Sequence, residues 1–216
     1  MSFPLRCTLL ITGAVLLLGC NQQTISGNGG SSETINARVI IDGTTLTATA
    51  TDPAALGTLE VFARDYHPYE RTGYLISSQI PGGAPSVTVE SEGVYNVHIT
   101  AASGSVSCFL TDLTVRADGS DTIPCPLVGI VRIDGMLVSD SLEPVTGNYA
   151  VSVFGSPFFG TTGEGSTFTI DNIPSGDYKV RVRPIAGQLF ITTAEYRITA
   201  NAMQPVTQVW VTLPRQ

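Results

Sequence analysis

Lysine is nearly missing from this chain. It occurs once, at Lys179, beside ten arginines; histidine occurs twice, at His67 and His98, and tryptophan once, at Trp210. Each scarcity closes a route. With two histidines, a Ser or Cys nucleophile has little choice of base, and no G-x-S-x-G, H-E-x-x-H or glycine-rich phosphate loop is present. Only 13% of the 216 residues are charged, and the formal net charge of −7 is the wrong sign for gripping a phosphate backbone. Long helical patterns are absent too: beyond residue 20, no apolar spacing of helical period runs for any convincing length. The sequence therefore points to no catalytic residues, no metal, no cofactor and no nucleic-acid partner.

What is present begins with a leader. MSFPLRCTLLITGAVLLLGC has one Arg, an uncharged run from Cys7 to Leu18, and the ending Leu17-Leu18-Gly19-Cys20. A membrane span needs about 20 apolar residues, so this run suits the core of an export signal instead. The Leu-Leu-Gly-Cys ending resembles the bacterial lipobox. That resemblance implies cleavage after Gly19, acylation of Cys20 with diacylglycerol, and attachment to the membrane through Cys20. Asn21 in place of Asp at the next position implies sorting to the outer membrane in a Gram-negative cell. Removing residues 1–19 takes Arg6 away and leaves ten basic against eighteen acidic residues. Residues 20–33 follow as the lipidated Cys and a polar tether rich in Gly and Ser, with a reach of roughly 20 Å.

From Thr34 onward the composition is that of an all-β protein: 22 Gly, 13 Pro and short runs of Val, Thr and Ser. The clearest stretch is FTIDNIPSGDYKVRVR, Phe168 to Arg183. Tyr178, Val180 and Val182 share one face and Lys179, Arg181 and Arg183 the other, as a strand with one buried side requires. Pro174 and Gly176 mark a reversal before it, preceded by Phe168 and Ile170 in the same alternation. These residues resemble the carboxypeptidase regulatory-like repeat, which implies a transthyretin-like or immunoglobulin-like β-sandwich of about seven strands. The catalytic peptidase domain that accompanies that repeat elsewhere is missing, so no peptidase activity is implied.

The chain also repeats itself. Val39-Ile40-Ile41-Asp42-Gly43 matches Val131-Arg132-Ile133-Asp134-Gly135, and Val61-Phe62 matches Val153-Phe154 at the same interval. Further on, Gly93-Val94-Tyr95 matches Gly176-Asp177-Tyr178, and Leu113-Thr114-Val115 falls on Tyr196-Arg197-Ile198. Two tandem sandwiches are expected, at 34–127 and 128–216, meeting at the stiff run Ile123-Pro124-Cys125-Pro126-Leu127. The first copy is longer between Phe62 and Gly93. Residues 63–85, with Tyr66, His67, Tyr69, Arg71 and Tyr74, form the insertion and the candidate binding segment.

Cys7 leaves with the leader and Cys20 is lipidated, so Cys108 and Cys125 remain, and in an exported protein they should form a disulfide. His98 is expected on the solvated outer face of its strand, and the Lys179, Arg181, Arg183 stripe on the wet face of the second sandwich. The acidic run Asp118-Gly119-Ser120-Asp121 reads as a solvated turn. The function expected is that of a non-enzymatic surface or periplasmic lipoprotein, lipid-anchored and serving as a structural or protein-interaction module with an envelope protein or glycan as partner. The alternative is a carbohydrate-binding or adhesive module with the insertion tyrosines as stacking platforms.

Overall fold

A computed structural model describes residues 35–69, 75–79, 84–185, 194–200 and 206–213. The leader, Cys20, the tether, Arg71 and Tyr74 lie outside them. The described part is all-β, with two short 3-10 turns and no α-helix. The first eight strands are β1 (Ile35–Asp42), β2 (Thr45–Ala50), β3 (Leu56–Ala63), β4 (Leu75–Gln79), β5 (Ser86–Thr88), β6 (Gly93–Ala101), β7 (Val106–Val115) and β8 (Ser120–Ser139). The remaining six are β9 (Tyr149–Val153), β10 (Phe159–Thr161), β11 (Thr167–Pro174), β12 (Gly176–Pro184), β13 (Ala194–Ala200) and β14 (Val206–Leu213).

Two hydrophobic clusters organise these strands. One draws on Ala37 to Leu127, with Val39, Leu46, Leu59, Val61, Val97 and Leu127 fully buried. The other draws on Val131 to Leu213, around Ile133, Leu137, Val151, Ile170, Ile173 and Val182. Around the first, β1 pairs with β2 and β2 with β5, while β3 pairs with β4 and β6, and β6 with β7. Around the second, β12 pairs with β9 and β13, and β9 with β10.

Strand β8 belongs to both. Its first part pairs antiparallel with β1, from Ser120 opposite Asp42 to Leu127 opposite Ile35. Its second part pairs antiparallel with β11 and parallel with β14, which runs beside it from Arg132 to Ser139. One parity serves both cores: Cys125 and Leu127 point into the first, Val131, Ile133 and Leu137 into the second. The proline run expected as a stiff joint, and the expected boundary at 127/128, thus lie inside a continuous strand. Pro124 and Pro126 are tolerated because β8 there has β1 as its neighbour on one side only, and a strand edge accepts residues without an N–H.

The Phe168–Arg183 stretch differs from a hairpin. β11 and β12 are joined through Ser175 yet pair with different sheets, β11 with β8 and β12 with β9 and β13. The connection is an arch across the sandwich. Phe168, Ile170, Tyr178, Val180 and Val182 meet in one core from opposite sides, and alternation is the same whether two strands lie side by side or face to face.

The internal repeat acquires a physical basis at the start of β6 and β12. Tyr95 donates its hydroxyl proton to the Ser91 carbonyl at 2.8 Å and Tyr178 donates to the Pro174 carbonyl at 2.6 Å, each four residues back. Gly93 and Gly176 lie beneath the rings: a Cβ at either would stand 3.3 Å from a Tyr atom. Val61 opposite Val97 and Val153 opposite Val180 are the same pair in the two copies. The match further on shifts by two, because Gly93 faces Val115 and Gly176 faces Ala200, so Val115 corresponds to Ala200 and not to Ile198.

Cys108 and Cys125 form the disulfide, with Cα atoms 5.9 Å apart, between β7 and β8 inside the first core. Closing a loop of this size contributes about 3 kcal/mol in the chain-entropy account.

Candidate functional site

Of the residues singled out in the insertion, Tyr66, His67 and Tyr69 are described, and His67 and Tyr69 lie where the two cores meet. β3 connects to β4 through residues 64–74, whereas its counterpart β9 reaches β10 through 154–158. The short connection is tightly built. Ser156, fully buried, donates to the Val153 carbonyl at 2.9 Å and accepts from the Phe158 N–H at 3.1 Å, which closes the turn and sets out Phe154, Gly155 and Phe158.

The described part of the long connection, through Tyr69, lies against that turn and the strand beside it. His67 Nε2 is 3.3 Å from Arg181 Nη1 and 3.3 Å from Arg183 Nη2. A guanidinium can only donate, so Nε2 is placed as the acceptor of these contacts. The His67 ring stands edge-on to Phe154 at 6.5 Å, and Arg181 lies over that same Phe154 ring, 4.4 Å from its centroid. Tyr69 stands edge-on to Phe159 at 6.1 Å and is 42% exposed. Tyr66 is only 7% exposed and packs on Phe62 at 5.0 Å. Arg181 and Arg183 are therefore half-covered and engaged, and of the predicted wet stripe only Lys179 stays exposed.

Two residues that sequence reasoning passed over, and one it assigned to solvent, complete the seam. Asn96 is 2% exposed; its Nδ2 donates to the Gly155 carbonyl and its Oδ1 accepts from the Asp112 N–H, both at 2.9 Å. It sits where β6 and β7 change register, and Asp112 takes a positive φ of 59° at that bulge. Phe109 packs edge-on to Phe158 at 5.7 Å and joins the second core from the first sandwich. His98, expected in solvent, is 8% exposed: Nδ1 is 2.8 Å from Glu60 Oε2, and Phe158 covers the ring at 5.0 Å. The outer face of β6 is covered by the neighbouring sandwich, something alternation does not register. The available signal was an apolar residue of the wrong parity, Phe109 beside the inward Cys108.

Glu60, His98 and Thr100 line up as carboxylate, imidazole and hydroxyl. The Thr100 Oγ1 to His98 Nε2 distance is 3.5 Å, and Phe158 stands edge-on to the His98 ring at 5.0 Å. The array ties β3 to β6. Among the described residues no group of three or more His, Cys, Asp or Glu stands close enough to hold a metal. Asp112 pairs with Arg64 at 2.9 Å, and Asp121 Oδ1 accepts from the Thr122 N–H.

Next to the seam lies a cleft of about 320 Å³, with Arg64, Thr111 and Asp112 on one wall and Lys179, Arg197 and Asp177 on the other. Asn96, Phe109, Phe154 and Tyr178 also line it. Burial, with the charge of Asp177, pushes the Tyr178 phenol well above the ordinary tyrosine range.

No protein-family model and no curated protein matches the chain. Among solved structures, it is similar to the major pilin subunit BcpA of Bacillus cereus, with 10% identity over 85% of this chain and 71% of that one and a TM-score of 0.32. It is similar also to GBS52, the minor pilin of Streptococcus agalactiae, with 12% identity over 77% and 84% and a TM-score of 0.34. The shaft pilin SpaA of Lactobacillus rhamnosus GG matches with 7% identity over 84% and 98% and a TM-score of 0.31. Likeness this weak says nothing of what this chain does.

Proposed function

We propose that this chain is a non-enzymatic, exported lipoprotein, anchored through Cys20 and acting as a rigid spacer or protein-interaction module at the cell envelope, on the outer membrane in a Gram-negative cell. The observation that carries the reading is β8, one strand that enters both cores, braced by the His67, Asn96 and Phe109 contacts beside it. A continuous strand shared by two cores leaves no loop between them to act as a hinge, and the described insertion residues His67 and Tyr69 pack against the second copy. The anchor rests on Leu17-Leu18-Gly19-Cys20. The sugar-platform reading has less support, since Tyr66 is turned inward and Tyr69 stands against Phe159.

Spin labels at exposed Asp52 and Leu142 test the spacer. A single narrow distance distribution is expected; a broad one sinks the rigid-spacer reading. Detergent-phase partitioning tests the anchor: wild type should enter the detergent phase and Cys20→Ala the aqueous phase, and equal partitioning of the two rules out lipidation at Cys20.

A further inference from the structure

The cleft beside the seam holds an unbalanced pair of cations. Lys179 on β12 and Arg197 on β13 are register partners, so two positive side chains stand directly across from each other on one exposed sheet face. Like charges in that position repel. Among the described residues neither forms an ion pair. Two carboxylates also line the cleft, Asp112 paired with Arg64 at 2.9 Å and Asp177, which accepts from the Thr199 hydroxyl at 2.6 Å and keeps its charge, so cations outnumber anions there three to two. In a chain of net charge −7, this cleft gathers Arg64, Lys179 and Arg197 around one opening. The lining is only partly polar, with Phe109, Phe154 and Tyr178 beside the cations. At about 320 Å³ it falls at the small end of the roughly 300–1,000 Å³ typical of small-ligand sites.

We propose that this cleft is a binding site for an acidic sugar, its carboxylate or phosphate held between Lys179 and Arg197 and its ring set against the aromatic lining. Arg197 offers a planar fork for two oxygens and Lys179 a point charge. A bare inorganic ion would satisfy the cations and leave the aromatic wall uncovered. The site is separate from the insertion tyrosines and does not depend on the spacer reading.

Lys179 is the only lysine, which makes the test specific. The full chain is acylated with an amine-reactive ester, and modification at Lys179 is read by peptide mass spectrometry with glucuronate, glucose-6-phosphate, glucose or inorganic phosphate at matched ionic strength. Glucuronate and glucose-6-phosphate should slow Lys179 acylation and glucose should not. Arg197→Ala should raise the half-protecting concentration about tenfold, the loss of a charge-assisted hydrogen bond; circular dichroism confirms that the variant is folded. The proposal is overturned if neither acidic sugar protects, if glucose protects equally, or if Arg197→Ala changes nothing. Protection by inorganic phosphate at the same concentration as glucose-6-phosphate would overturn the sugar class, since the ring would then contribute nothing.

Discussion

Replacing Asn96 with alanine isolates one of the polar contacts that join the two sandwiches. The wild-type amide is 2% exposed and makes two hydrogen bonds, to the Gly155 carbonyl and from the Asp112 N–H, each 2.9 Å. The two halves of the loss differ. Gly155 is buried, so its carbonyl is left without a partner, at a cost of about 1–3 kcal/mol. Asp112 is exposed, so its N–H regains water and the net loss is about 0.5–1.5 kcal/mol. Asn96→Ala should therefore destabilise by about 2–4 kcal/mol in urea titration followed by circular dichroism, a large share of the roughly 5–15 kcal/mol a domain has. Hydrogen exchange at Asp112 should accelerate in the same variant. Asn96→Asp keeps an acceptor for Asp112 but turns an oxygen toward the Gly155 carbonyl, so it should be no more stable than Asn96→Ala. The reasoning fails if Asn96→Ala stays within about 0.5 kcal/mol of wild type, or if Asn96→Asp matches wild type.

Three further outcomes follow from the cores. Reducing the Cys108–Cys125 bond, or replacing both residues with alanine, should lower stability by about 3 kcal/mol; an unchanged urea midpoint with reductant would contradict it. A Cβ at Gly135 would stand 2.1 Å from Phe168 Cζ, so Gly135→Ala should cost about 1–3 kcal/mol by overpacking, and Gly135→Ala with Phe168→Leu should recover part of it in thermal melts. For Tyr178 the folded-state pKa is raised by burial and by Asp177, while an unfolded tyrosine ionises near pH 10. Its contribution to stability is thus fully present below about pH 10 and is lost as pH rises above it. Tyr178→Phe should be about 1 kcal/mol less stable at neutral pH and should show a shallower alkaline decline; an identical alkaline slope would refute the assignment.

Period-two alternation carried much of the architecture. It placed Tyr178, Val180 and Val182 in the core, and the repeated Gly-x-Tyr located two tyrosines that each bond four residues back. Alternation reports which residues share a face but not what lies opposite. The reversal at Pro174 and Gly176 joins strands of different sheets for that reason, and His98, Arg181 and Arg183 were assigned to water when the neighbouring sandwich covers them. The seam was illegible because its anchors are ordinary taken singly. An Asn, a Gly and two Phe become a contact only once the bulge at Asp112 and the turn closed by Ser156 bring them together.

The shared strand also bears on how such a protein can be divided or recombined. Where two modules are joined by a loop, either can be moved, duplicated or exchanged, because the cut falls on backbone that owes nothing to either core. Here a cut after Leu127 passes through β8 between residues that fill one core and residues that fill the other, and it removes the Gly129 and Val128 partners of Val106 and Ser107. The copies still carry the marks of repetition, yet neither can be cut out at this boundary without opening the strand that fills both cores.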